Sequence, residues 1–317
     1  MIKSPIKWAG GKTRVMPELL KHLPKADCLI EPFVGSGTVF MNTEYRRYVL
    51  CDSNRALINF FRALREDLER LILIARNVFR NGNNEHSYYE ERKLFNHLSW
   101  DDECADDYVV RWAASFLYLN RHCFNGLYRT NRDGGFSVPF GSYKAPYFPE
   151  AEMRLFAEKA RDTHTLFLCH DFRSSIPHTA KNRPDSVIYC DPPYIPVSKT
   201  ANFTAYGKPF TLDDHRDLVA TLLAAHHQHG TRSVISNSDT PETREIYSAF
   251  NLHTFSVRRS VSAKSRDMAG EVIGVLRVCG RCGRSGGGNC PYCSPVKRLS
   301  TYGAMAAMGA FDGAEGF

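Results

Sequence analysis

Ser186-Val187-Ile188-Tyr189-Cys190-Asp191-Pro192-Pro193-Tyr194 decides the fold and points to the chemistry. The first five residues form a short, mostly apolar run, the pattern of a buried strand. Two prolines then stop the sheet, because proline has no N–H to give to a ladder. The chain therefore leaves the strand carrying a carboxylate, a rigid dipeptide and an aromatic ring. An exocyclic amine held there would donate to the Asp191 carboxylate and to the Pro192 carbonyl. The Tyr194 ring offers a face for a planar base. The plain alternative is a turn that merely ends a strand.

The same pattern of strand ends recurs upstream. Glu31-Pro32-Phe33-Val34-Gly35-Ser36-Gly37-Thr38 follows the apolar Cys28-Leu29-Ile30. Two glycines after a strand let the backbone come close to a ligand. A second strand-like run, Tyr48-Val49-Leu50-Cys51, ends in Asp52, where an acid is placed to bind ribose hydroxyls in a doubly wound sheet. Lys7-Trp8-Ala9-Gly10-Gly11-Lys12-Thr13 superficially suggests a phosphate loop. That spacing would need glycine in place of Ile6 and a strand before it, so triphosphate binding is set aside.

Asp191-Pro192-Pro193-Tyr194 is similar to the catalytic motif of amino-methyltransferases acting on nucleobases. With the Lys7–Lys12 and Glu31–Gly37 motifs and the late Asn202-Phe203-Thr204-Ala205-Tyr206, all in matching order, the chain resembles the Dam-type DNA adenine-N6 methyltransferases. The resemblance spans most of the chain. It implies S-adenosylmethionine as cofactor, held by Trp8, Lys12, Asp52 and Asp191, with Gly35 and Gly37 shaping the loop around it. Glu31 is a further candidate, either for the cofactor's ammonium or as a structural acid. The implied reaction is methyl transfer to N6 of an adenine flipped out of double-stranded DNA. Asp191 and the Pro192 carbonyl would orient the amine, and Tyr194 would stack on the base. The resemblance also aligns residues 124–129 with the family's DNA-reading hairpin. Lys7, Leu127, Arg129, Pro139 and Tyr143 fall on base-contact positions. Phe124 falls on that of an aromatic wedge, with Asn125 beside it. The expected target is adenine within GATC.

Composition fits this reading without proving it. The chain has 317 residues, 43% hydrophobic and 24% charged, with a formal charge of +7. That suits a soluble globule able to meet a polyanion. No apolar run approaches the roughly 20 residues of a membrane span, and the N-terminus lacks a secretory apolar core. A cytoplasmic monomer with no membrane partner is expected. Between Asn120 and Tyr147, Arg121, Arg129, Arg132 and Lys144 are interleaved with six aromatic residues, among them Phe136 and Phe140. Such a segment can reach phosphates and base edges, or can form an ordinary aromatic satellite core.

Of the ten cysteines, Cys28, Cys51, Cys169 and Cys190 lie in strand-like runs and read as small core residues. Cys279, Cys282, Cys290 and Cys293 form two Cys-x2-Cys pairs, which in a cytosolic chain favour one tetrahedral structural zinc over disulfides. A disordered tail with free thiols is the alternative.

The predicted organisation is a doubly wound, mostly parallel α/β sheet in a methyltransferase-like fold. Strands are predicted at 28–34, 47–52, 165–170, 186–191, 232–237, 252–258 and 271–277, and helices at 13–22, 54–79, 106–121, 150–161 and 211–229. Residues 1–54 and 149–278 form the catalytic domain; 55–148 are an inserted helical and hairpin target-recognition domain; 279–293 are a small Cys knuckle; 294–317 are a tail. Three features depart from the family: a hairpin one residue longer at Arg132-Asp133-Gly134-Gly135, no polar pattern from Ala263 to Gly270, and the knuckle itself. Two rival functions remain: a methyltransferase for cytosine N4 or RNA adenine, and a non-catalytic DNA-binding protein on a methyltransferase fold. Whether the enzyme works alone or in restriction-modification beside a nuclease is open.

Overall fold

The computed structural model describes residues 1–80, 82–98, 106–196, 209–258 and 268–276. In chain order the helices and strands are α1 (Met16–His22), β1 (Cys28–Glu31), α2 (Thr38–Met41), β2 (Arg47–Asp52), α3 (Arg55–Glu66), α4 (Leu68–Arg80), α5 (Glu85–Leu98), α6 (Asp106–His122), α7 (Glu150–Asp162), β3 (Leu166–Cys169), α8 (Phe172–Asn182), β4 (Ser186–Cys190), α9 (Leu212–His229), β5 (Arg232–Ser238), α10 (Pro241–Ile246), β6 (Phe250–Arg258) and β7 (Met268–Leu276). A 3₁₀ turn at Lys12–Arg14 precedes α1.

The seven strands form one sheet in the order β3-β2-β1-β4-β5-β7-β6. The strands from β3 to β5 pair in parallel, while β7 lies antiparallel between β5 and β6. The chain runs outward from β1 in one direction and from β4 in the other. The crevice between these two strands is therefore the topological switch point, where open α/β sheets bind ligands at the carboxyl ends of their strands.

Alternation along the strands builds a layer of helices on each face. Leu29, Leu50, Val187 and Tyr189 point into one core with α3, α6 and α7. Ile30, Val49, Ile188 and Cys190 point into the other, with α8 and α9. The first core runs without a break into residues 55–148, taking in Tyr88, Phe95, Trp112 and Phe116.

Each predicted strand is present within a few residues. The predicted helix 54–79 is divided at Asp67, whose φ of −141° and ψ of 55° leave the helical region. The break turns Leu68 into the core. Helices α2, α5, α8 and α10 were not predicted. Pro177 inside α8 hides its periodicity, although Asp171 caps it by accepting the Arg173 N–H at 2.8 Å.

Helix α5 holds the 127–140 hairpin. The hairpin is closed by the Asn131 side chain, which accepts the N–H groups of Asp133 at 3.1 Å and Gly135 at 2.8 Å. Its outer arm finds partners on α5 in place of a strand. Asn96 accepts the Phe136 N–H at 2.8 Å and donates to the Phe136 carbonyl at 3.1 Å. Tyr88 donates its hydroxyl to the Val138 carbonyl at 2.7 Å.

Asn96→Ala strips both Phe136 backbone groups of these partners. It is expected to cost about 1–3 kcal/mol and to speed amide hydrogen exchange in the hairpin while the β1–β5 strands keep their protection. Unchanged hairpin exchange would refute this anchoring.

Candidate active site

Register sets the centre of the site. Cys190 of β4 pairs with Ile235 of β5, so the next residues, Asp191 and Ser236, lie side by side at the carboxyl edge. Ser236 Oγ donates to Asp191 Oδ1 at 3.2 Å, and the buried Tyr189 hydroxyl lies 2.9 Å from Ser236 Oγ. The 3₁₀ turn brings Lys12 in from the N-terminus. Its ammonium sits 2.6 Å from the same Asp191 Oδ1, donates to the Gly10 carbonyl at 3.2 Å, and lies 4.6 Å from the centre of the Tyr194 ring. Lys12 is almost fully buried, whereas the Asp191 side chain remains 21% exposed and can be reached by an entering group.

Burial opposes both charges of this pair. Desolvation raises the Asp191 carboxyl above its ordinary value, against the pull of Lys12 and Ser236. Desolvation, the largest single influence, pulls Lys12 down, but Asp191, Tyr189 and Glu271 together outweigh it and Lys12 ends above its ordinary value. The contact keeps the lysine protonated and works to keep the acid ionised. Tyr194 is fixed from its far end, where its hydroxyl donates to Glu271 Oε2 at 3.0 Å.

The glycine loop closes the other side of the crevice. Gly35, at φ +49°, donates its N–H to Asp52 Oδ2 at 3.2 Å, and Asn54 N–H donates to Oδ1 at 2.9 Å. Burial raises Asp52 to about 6 despite these amides. A Cβ on Gly35 would come 3.2 Å from Trp8 Cδ1, so the indole packs directly on the loop. Gly37, at φ +71°, turns the chain into α2 and makes room for the Phe156 ring, which a Cβ would meet at 3.0 Å. Glu31 is buried, and its Oε1 accepts no hydrogen bond among the described residues. Desolvation, with Asp191 as a second cause, raises it well above the ordinary carboxylate value.

A second group of the sequence candidates gathers beside this centre. Lys7 is tied to α6 by two bonds with Asn120: its N–H donates at 2.9 Å and its carbonyl accepts at 2.7 Å. The Lys7 ammonium lies 4.0 Å from the centre of the Tyr143 ring, and the Tyr143 hydroxyl accepts the Asn125 N–H at 2.9 Å. Phe124 is half exposed, and its N–H donates to the Pro139 carbonyl at 2.9 Å. Lys7, Phe124, Asn125, Pro139 and Tyr143 thus form one cluster. Leu127 is half-buried against the core, and Arg129 is exposed farther along the hairpin. Asn202–Tyr206 and the four knuckle cysteines, Cys279, Cys282, Cys290 and Cys293, lie outside the described residues.

Sequence reading missed Ser236, Asn237, Glu271 and Asn120. A signal for the first two existed: polar Ser236-Asn237-Ser238 follows the apolar Val234-Ile235 within β5, and all five are buried. Buried polar residues at a strand end need partners.

The family model described as "D12 class N6 adenine-specific DNA methyltransferase" matches residues 8–261. The chain is 45% identical over 259 residues to a DNA adenine methylase of Vibrio cholerae, covering 81% of this chain and 89% of that one. It is 42% identical over 276 residues to a DNA adenine methylase of Serratia marcescens, covering 86% and 97%. Against the DNA adenine methylase of Escherichia coli strain K12 it is 44% identical over 260 residues, covering 81% and 88%.

Glu31 carries its own test. An acid raised on folding holds a proton that the unfolded chain has released, so it lowers stability once pH passes above the ordinary value of 4.5. Glu31→Gln is expected to raise the melting temperature, more at pH 8 than at pH 5. A larger gain at pH 5 would show the opposite shift.

Proposed function

The chain belongs to the D12 class N6 adenine-specific DNA methyltransferases, and on that premise we propose how its site holds cofactor and base. The reading is methyl transfer from S-adenosylmethionine to N6 of an adenine flipped out of duplex DNA within GATC. The half-buried Asp191 carboxylate at the end of β4, held by Lys12 and Ser236 on one oxygen, carries the reading.

The crevice suits S-adenosylmethionine. Asp52, held by backbone amides, is placed for ribose hydroxyls, and the Trp8 indole over Gly35 offers a flat apolar wall. The unpartnered Glu31 Oε1 is a buried acceptor suited to an ammonium group. When bound, the cofactor supplies an electrophilic methyl group. The chain's residues then have to place the amine, exclude water and balance charge.

Lys12 and Ser236 both act on Asp191 Oδ1, so Oδ2 is assigned to accept from the adenine amine, with the Pro192 carbonyl as second acceptor. An ionised Asp191 stabilises the positive charge that develops on N6 as it attacks. Lys12 favours that ionised form in a site where burial favours the neutral acid. Because the Lys12 ammonium lies over the Tyr194 ring, the base is assigned to the opposite face. Flipping costs unstacking, and the half-exposed Phe124 is suited to fill the vacated space, with Asn125 beside it. Lys7, Leu127, Arg129, Pro139 and Tyr143 read the site, with Arg129 suited to guanine O6 and N7. The four C-terminal cysteines have the spacing of one structural zinc.

Incubation with a labelled methyl donor and unmethylated plasmid, followed by mapping of modified bases, tests this reading. N6-methyladenine at GATC is expected, and methylation mainly elsewhere refutes the target. Asp191→Ala should lose single-turnover transfer by several orders of magnitude, and near-normal transfer would sink its assignment. Arg129→Ala should relax choice at one guanine by about 1–3 kcal/mol while keeping turnover. For the cysteines, metal analysis of protein purified without chelator should find about one zinc per chain; none, with four reactive thiols, rules the knuckle out.

A further inference from the structure

Behind the catalytic strand end runs a chain of buried side chains for which the methyl-transfer reading has no use. Tyr247, which follows α10, and Asn237 at the end of β5 are fully buried, and His215 on α9 nearly so. Asn237 Oδ1 accepts the Ile195 N–H at 2.9 Å and the Ser238 N–H at 2.8 Å. Asn237 Nδ2 donates to the Tyr247 hydroxyl at 3.0 Å. That hydroxyl lies 3.0 Å from His215 Nδ1. The His215 ring also engages the Pro193 carbonyl as a hydrogen-bond acceptor.

The protons along this chain have one consistent arrangement. The Tyr247 oxygen takes the Asn237 amide, so its own proton goes to His215 Nδ1. A histidine accepting at Nδ1 carries its proton on Nε2 and donates to Pro193. Burial keeps the ring neutral, lowering it to about 4. The chain thus grips the catalytic turn at two points, the Pro193 carbonyl and the Ile195 N–H. Neither Pro192 nor Pro193 has an N–H, so the sheet's own ladder cannot hold this turn.

We propose that the His215–Tyr247–Asn237 chain is a clamp that positions Asp191-Pro192-Pro193-Tyr194 for methyl transfer, with His215 a positioning residue acting through Pro193. The proposal rests on the assignment of Asp191 and Tyr194 to the reacting base. Misplacing a reacting group by about 1 Å costs on the order of a hundredfold in rate. A loosened clamp therefore shows in the chemical step, with cofactor affinity left intact.

Three variants separate this role from plain packing. His215→Leu fills the space but removes both bonds. His215→Gln offers an amide N–H to Pro193 and an amide oxygen to Tyr247. Tyr247→Phe keeps the ring and cuts both links at the junction. Single-turnover transfer to unmethylated plasmid DNA and S-adenosylmethionine binding by calorimetry are the readouts. His215→Leu and Tyr247→Phe should slow transfer about tenfold or more, with cofactor affinity within about threefold. His215→Gln should recover most of the rate. The His215→Leu/Tyr247→Phe double variant should be little slower than either single variant, because both cut one chain. Should the Leu variant fail to fold, His215→Gln and Tyr247→Phe decide alone. Wild-type rates in Tyr247→Phe, or a Gln variant as slow as Leu, overturn the clamp. An inactive wild type overturns the underlying assignment and the clamp with it; an active wild type with unaffected variants overturns the clamp only.

Discussion

The ion pair between Lys12 and Asp191 is the contact on which the rest of the site depends. A charge taken out of water persists only with a partner, so each residue fixes the other. The pair is also a long-range cross-link. It joins the N-terminal segment, which contributes no strand, to the end of β4 at the middle of the sheet. A few residues earlier the same segment is bolted to α6 through Lys7 and Asn120, and Arg121 donates to the Pro5 carbonyl at 2.6 Å. Trp8 lies between these attachments, against Gly35. The segment is a strap whose two ends set the distance between the Asp191 carboxylate and the cluster around Tyr143.

Much of this was legible in the sequence, for physical reasons. Strands buried on both faces must be apolar throughout, and β1, β2 and β4 announced themselves that way. The acid and the prolines that end β4 and the glycines that follow β1 are local chemistry, readable wherever the chain folds. The partners of those residues were not local. Ser236 and Glu271 reach Asp191 and Tyr194 only because β5 and β7 lie beside β4 in that order, and strand order leaves no periodic trace. Helix α5 escaped because only three of its residues, Tyr88, Glu91 and Phe95, are buried. Its Asn96 and Tyr88 serve as hydrogen-bond partners for a hairpin some 40 to 50 residues away.

That borrowing of partners explains how a nearly isolated hairpin stays ordered. Two strands alone are marginal in water. Here the outer arm bonds to helix side chains, and its apolar side chains Phe136 and Val138 are buried in the main core. The insertion and the sheet consequently share one continuous packed interior, and a shift in the hairpin is felt at the sheet.

The antiparallel course of β7 has a separate consequence. Leu276, its last described residue, pairs with Phe250, and Val275 pairs with Val234 near the start of β5. The chain therefore departs toward the end of the sheet opposite Asp191, about three residues along the strands from the level of that acid, or about 10 Å at roughly 3.3 Å per residue. A cargo domain grafted after Leu276 would start out at the edge of the sheet opposite the one that carries Asp191. That polarity makes this edge a natural attachment point for building chimaeras that carry a second activity alongside this one.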